Sequence, residues 1–137
     1  MDVPLLASEL RLVLGQLMRR LRAEHRFSLA QGAVLGRLDR EGPRGTSDLA
    51  AAERVRPQSM AQTVSELEAD GLIDRRPDPG DGRRALLELT PRGRDVVQAD
   101  REQREGWLIR AITEGFSEQE QQALARAIPL LSHLAEA

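Results

Sequence analysis

The chain has 137 residues, 40% of them apolar and 31% charged, with a formal net charge of −2 and no cysteine. That length suits one domain with a modest core, and the missing cysteine excludes disulfides, thiol redox switching and thiolate metal sites together. No apolar run approaches a membrane span and no basic-then-apolar leader opens the chain, so a cytoplasmic protein with no membrane partner is expected.

The only aromatic residues are Phe27, Phe116 and Trp107. The core must therefore be built from Leu, Val, Ile and Ala, which favours helices. All 20 basic residues are Arg. Arg presents a planar fork suited to phosphates and guanine edges, although codon bias in a GC-rich genome is the simpler account of the missing lysines. A net negative charge does not by itself advertise nucleic acid. Its distribution is uneven, however: residues 95–137 hold four Arg against eight acids, whereas residues 1–50 hold eight against six.

In chain order, Leu6, Leu10, Val13, Leu17 and Leu21 trace one helical stripe, widened by Leu14 and Met18. So early a helix has little core to cover, and part of the stripe is expected to pack on a partner chain. Ser28-Leu29-Ala30-Gln31 is a capping-box pattern that starts a second helix, ending near Glu41-Gly42. Gly42-Pro43-Arg44-Gly45 reads as a loop. Thr46 is expected to cap a short third helix, Ser47 to about Glu53, that buries Leu49 and Ala50.

After the turn Arg54-Val55-Arg56 comes a helix from Pro57 to about Asp70. Proline suits the first helical position, where its missing N–H is not needed, and Gly71 closes the helix where a left-handed residue is cheap. Met60, Val64 and Leu67 form its apolar stripe; Gln58, Ser59, Gln62 and Ser65 lie opposite. An ordinary solvated face would carry Glu, Lys and Arg throughout. Here the acids Glu66, Glu68 and Asp70 wait until the last turns. A short helix, a tight turn and a polar-faced helix make a helix-turn-helix.

Leu72 to Arg76 then reads as a strand, Pro77 to Gly82 as a dense turn cluster, and Ala85, Leu87 and Leu89 as alternate positions of a second strand. Arg75, Arg76, Arg83 and Arg84 flank the tip. The polar helix face fits a major groove, and an Arg-tipped ribbon can reach the backbone or minor groove beside it. A solvated helix followed by an ordinary surface hairpin fits this stretch equally. In a regular ribbon, Asp81 and Arg83 would share a face, which lets the carboxylate hold that guanidinium or a neighbouring strand arginine.

Thr90-Pro91 is a further cap, opening a long helix to about Glu114 that carries Val96, Val97, Trp107, Leu108, Ala111 and Ile112. Trp107 either lines an effector pocket or fills a dimer core. Ser117 to Glu120 is a second capping box, and the last helix carries Leu124, Ile128, Leu131 and Leu134, with Pro129 inside it expected to bend it. An enzyme needs a constellation of groups. The chain has no nucleotide-binding glycine motif and no nucleophile elbow. Its two histidines, His25 and His133, read as surface or helix-end residues, so no catalytic residue, metal site or cofactor is expected.

The order of these parts (FSLAQ, TSDLA, RVRPQSMAQTVSELEADGLI, a DPGDGRR wing, LELTPRG, then two long helices) resembles the MarR family of bacterial winged-helix regulators. The resemblance covers essentially the whole chain. It implies a mainly α fold with a small β-wing: a winged helix-turn-helix over residues 28–90, flanked by dimerisation helices in 1–25 and 91–137. The implied function is a transcriptional regulator, most simply a repressor, binding pseudo-palindromic double-stranded operator DNA as a homodimer. Carried over residue by residue, Gln58, Ser59 and Gln62 face the major groove after Pro57. Asp81 braces the wing and Arg83 enters the minor groove. Thr46 and Ser47 meet the backbone at a helix N-terminus, with Arg54, Arg56, Arg75, Arg76 and Arg84 as further DNA contacts. Gly82, beside Pro79-Gly80, implies a looser wing tip than usual. The family often responds to aromatic or phenolic effectors, although the aromatic-poor interior here gives no sign of one and no effector-binding residue can be named. The alternative is a winged-helix module that binds protein, which should show large exposed apolar residues on the polar helix face; none is there.

Overall fold

Among the described residues, thirteen buried apolar side chains bring four helices and a hairpin onto one core, with α4 contributing through the Met60, Val64 and Leu67 stripe that its sequence predicts. In the computed structural model, which describes residues 1–23 and 26–137, the order is α1 (Val3–Ala23), α2 (Leu29–Glu41), α3 (Thr46–Glu53), α4 (Pro57–Ala69), β1 (Ile73–Asp78), β2 (Asp81–Leu89), α5 (Pro91–Gly115) and α6 (Glu118–Ala135). The core joins Val34, Leu35 and Leu38 of α2 to Leu49 and Ala50 of α3. It continues through Met60, Val64 and Leu67 of α4, then Leu72, Ile73, Leu87, Leu89 and Val97. Phe27 and Val96 pack against its edge. This is the mainly helical winged-helix fold that the sequence implies.

Local chemistry sets the boundaries. Ser28 accepts from the Gln31 N–H at 3.1 Å while Gln31 Oε1 accepts from the Ser28 N–H at 3.2 Å, so both halves of the first capping box form. Ser117 and Glu120 form the second, and the Glu120 carboxyl is held below the ordinary glutamate value, mainly by the Ser117 backbone N–H. Gly71 adopts φ +74 as the helix-closing residue. One boundary differs from expectation. α3 starts at Thr46 with Gly45 as its cap residue, and no side chain caps it. Thr46 is thus the first helical residue and Gly45, which has no side chain, takes the cap position.

A tight joint couples the hairpin to α5. The Thr90 hydroxyl accepts from the Gly93 N–H at 2.9 Å and donates to the Gly71 carbonyl at 2.7 Å, while the Thr90 N–H bonds the Leu72 carbonyl at 3.0 Å. A Cβ on Gly93 would lie 2.0 Å from the Leu72 oxygen. Only glycine lets α5 start this close to the end of α4.

Away from that joint the helices leave the core. Neither α1 nor α6 has a buried residue, and the buried residues of α5 stop at Asp100. α6 continues through Pro129. Trp107 is half-buried with the Arg20 guanidinium 4.5 Å over its ring, which ties α1 to α5. His133 is exposed in the last turn of α6, and His25 lies outside the described residues. Among the described residues no group of acidic or imidazole side chains could hold a metal ion, and no helix is long and apolar enough to cross a membrane.

Candidate nucleic-acid interface

The face of α4 opposite its buried stripe is exposed at Gln58, Ser59, Gln62 and Ser65, as the periodicity predicts. Arg56 takes the cap position without a side-chain cap, and Pro57 is the first helical residue. The N-terminus of α4 therefore presents backbone N–H groups and the positive end of the helix dipole outward, beside Gln58 and Ser59. α3 presents a second uncapped N-terminus at Thr46 and Ser47.

The turn between these helices rests on Arg54, which has φ +56 and is the one non-glycine residue with positive φ among the described residues. Its N–H bonds the carbonyls of Ala50 and Ala51, and the Val55 N–H bonds Ala50 at 3.0 Å. A left-handed backbone costs an arginine roughly 1–2 kcal/mol that a glycine would not incur. The side chain is exposed, so packing does not offset that cost.

The wing departs from the regular ribbon. β1 runs through Pro77 to Asp78, so the loop shrinks to Pro79-Gly80. Pairing is regular from Ile73↔Leu89 to Pro77↔Ala85, then jumps to Asp78↔Asp81. Gly82, Arg83 and Arg84 consequently bulge out of the ladder. Two carboxylates hold this tip. Asp78 Oδ1 accepts from the Gly80 N–H at 2.9 Å, and Asp81 Oδ1 accepts from the Arg83 N–H at 3.0 Å. These two hydrogen bonds brace the tip from both sides, and neither Gly80 nor Gly82 adopts positive φ. Arg44, expected in a loop, adds a third edge: it exchanges hydrogen bonds with Leu87 at 3.1 and 2.7 Å.

The arginines divide into two sets. Arg75 forks onto Glu68 of α4 at 2.8–3.0 Å, Arg76 meets Glu88 at 3.2 Å, and Arg84 pairs with Asp48 of α3. The Asp48 hydrogen bond raises the Arg84 pKa above its ordinary value. Arg54, Arg56 and Arg83 are exposed and make no ion pair among the described residues. Sequence reading missed the acids of the first set, Asp48, Glu68 and Glu88. Glu68 and Asp48 lie on other elements, and only packing brings them to the wing.

A polar helix end, a second helix N-terminus and a braced arginine-bearing hairpin thus stand on neighbouring elements of one core. Comparison with known proteins agrees. The sequence pattern of the MarR family matches residues 27–85. An uncharacterised HTH-type transcriptional regulator of Mycobacterium leprae is 39% identical over 107 residues, spanning 76% of this chain and 75% of that protein. The structure of a protein from Pseudomonas aeruginosa PA01, described as a transcriptional regulator, superposes with TM-score 0.81 at 39% identity, covering 100% of this chain and 98% of that one. A MarR family protein from Bacillus stearothermophilus shares the fold at TM-score 0.85 and 22% identity, over 98% of this chain and 96% of that one.

Proposed function

The chain belongs to the MarR family of HTH-type transcriptional regulators, and from that premise we propose that it is a cytoplasmic repressor that binds pseudo-palindromic operator DNA as a homodimer. The observation that carries this reading is the uncapped, polar N-terminal face of α4 standing beside the braced wing. In this reading residues 28–90 contact DNA. Gln58, Ser59 and Gln62 meet base edges in the major groove, and Arg83 enters the adjacent minor groove. Arg54, Arg56 and the N-termini of α3 and α4 hold phosphates. Residues 1–25 and 91–137 join two copies, so that two recognition helices face successive major grooves.

The joining surface is supported by exposure. Leu6, Leu17 and Met18 of α1 and Leu124, Ile128 and Leu131 of α6 are all exposed in the single chain, which is more apolar surface than two solvated helices carry. Release by a small effector would suit the cleft of about 240 Å³ between α1, α2 and α5, where Leu21 and Leu29 lie near Arg40 and Arg104. Its leucines and arginines would accept a small compound with an apolar body and an acidic group. Footprinting the purified protein on DNA flanking its own coding region tests the reading. Protection of two half-sites about one helical turn apart is the expected result; no protection at any salt concentration would sink it.

A further inference from the structure

Glu66 places an anion on the helix expected to meet a polyanion, and its contacts give it a purpose there. It stands one turn after Gln62 on α4, and both side chains are exposed. Gln31 Nε2 donates to Glu66 Oε2 at 2.9 Å. Gln62 Nε2 donates to the other oxygen, Oε1, at 3.5 Å. Gln31 is held at its far end too, since its Oε1 accepts from the Ser28 N–H at 3.2 Å in the capping box of α2.

The polarity of this series follows from which groups can donate. The cap requires Gln31 to turn its carbonyl toward Ser28, which leaves its NH₂ facing away. A carboxylate can only accept. Glu66 therefore takes the Gln31 NH₂ on one oxygen, and Gln62 must turn its NH₂, not its carbonyl, toward the other. Gln62 keeps its carbonyl and its second N–H for the groove, one acceptor beside one donor. That pair complements the N6 amino and N7 edge of adenine. An unrestrained glutamine on a helix surface has several rotamers and two amide orientations to give up on binding, and holding it beforehand lowers that ordering cost.

We propose that Glu66 and Gln31 are positioning residues for Gln62, and that together they make the protein select adenine at one base pair of each half-site. This rests on the reading that α4 enters the major groove.

Binding-site selection from a randomised duplex library tests it, using the full chain as wild type, Gln62→Ala, Glu66→Ala and Gln31→Glu. The last variant keeps the acceptor that the α2 cap needs but sets a second carboxylate against Glu66. The wild type should select adenine at a position that Gln62→Ala levels. Glu66→Ala and Gln31→Glu should each lower that adenine preference about three- to tenfold, leaving the other positions and the thermal midpoint in place. Adenine preference unchanged in either variant, or no position levelled by Gln62→Ala, overturns the relay. A wild-type protein that selects no sequence at all overturns the DNA-reading function itself, and the relay with it.

Discussion

Asp81 accepts a hydrogen bond from the backbone N–H of Arg83 at 3.0 Å, and the two side chains form no ion pair among the described residues. A regular ribbon would let the carboxylate hold the Arg83 guanidinium or that of a neighbouring strand arginine. Instead the bulge after Asp81 turns the carboxylate back onto the chain, so its task is to shape the tip. What matters is then an acceptor, not a charge. Asp81→Asn should keep operator affinity, whereas Asp81→Ala should lose about 0.5–1.5 kcal/mol through the cost of ordering the tip on DNA. Both should leave the thermal midpoint nearly unchanged. Equal loss in the two variants, measured by fluorescence anisotropy, would show that the carboxylate acts through its charge.

Three wing arginines carry anions of their own chain. The pairs Arg84–Asp48, Arg75–Glu68 and Arg76–Glu88 are exposed or half-exposed, so each contributes about 0–1 kcal/mol to stability while keeping an arginine from a phosphate. Asp48→Asn and Glu68→Gln free one arginine each. Binding to non-operator DNA should tighten, and the slope of log affinity against log salt should steepen by about one per freed arginine. A salt titration with unchanged slope would show that these arginines never reach the backbone.

Arg54 separates stability from binding. In the left-handed region, glycine avoids a penalty of roughly 1–2 kcal/mol, and part of that gain is lost to the greater freedom of glycine in the unfolded chain. Arg54→Gly should therefore raise stability by about 0.5–1 kcal/mol in urea unfolding, while weakening binding to all DNA alike. Loss of stability would mean that the arginine side chain supports the turn.

Gly93 is constrained from outside its own helix. With a Cβ only 2.0 Å from the Leu72 carbonyl oxygen, Gly93→Ala must push α5 away from the end of α4 and strain the Thr90 contacts. The expected cost is about 3 kcal/mol or more, at or above the usual range for overpacking. Thr90→Ala should cost less, about 0.5–2 kcal/mol, as a lost cap does. Thermal unfolding of Gly93→Ala close to wild type would contradict the close approach.

Exposed apolar residues on α1 and α6 predict coupled folding and assembly. Ile128 is 63% exposed and Leu6 49% in the single chain. Ile128→Glu or Leu6→Glu should dissociate the proposed dimer and lower stability in a concentration-dependent way. Sedimentation of the wild type as a well-folded monomer at micromolar concentration would reject the assembly.

What the sequence determined by itself is whatever is set within one turn of helix or one strand. The two capping boxes, the Thr90-Pro91 start, Gly71 as a left-handed stop and the Met60, Val64 and Leu67 stripe all depend on groups three or four residues apart. Their spacing is written directly in the chain, and the polar face of α4 follows as the remainder of that stripe. The α3 start slipped by one residue because Gly45 and Thr46 both satisfy cap preferences. Only tertiary packing decided the rest. Arg84 meets Asp48 across 36 positions and Gln31 meets Glu66 across 35, separations at which sequence spacing no longer predicts distance. The bulge at Gly82 to Arg84 and the third edge at Arg44 depend on how β2 registers against its neighbours. That register is fixed by burying Leu87 and Leu89 against the helices, and a shift of one residue would turn those side chains to solvent.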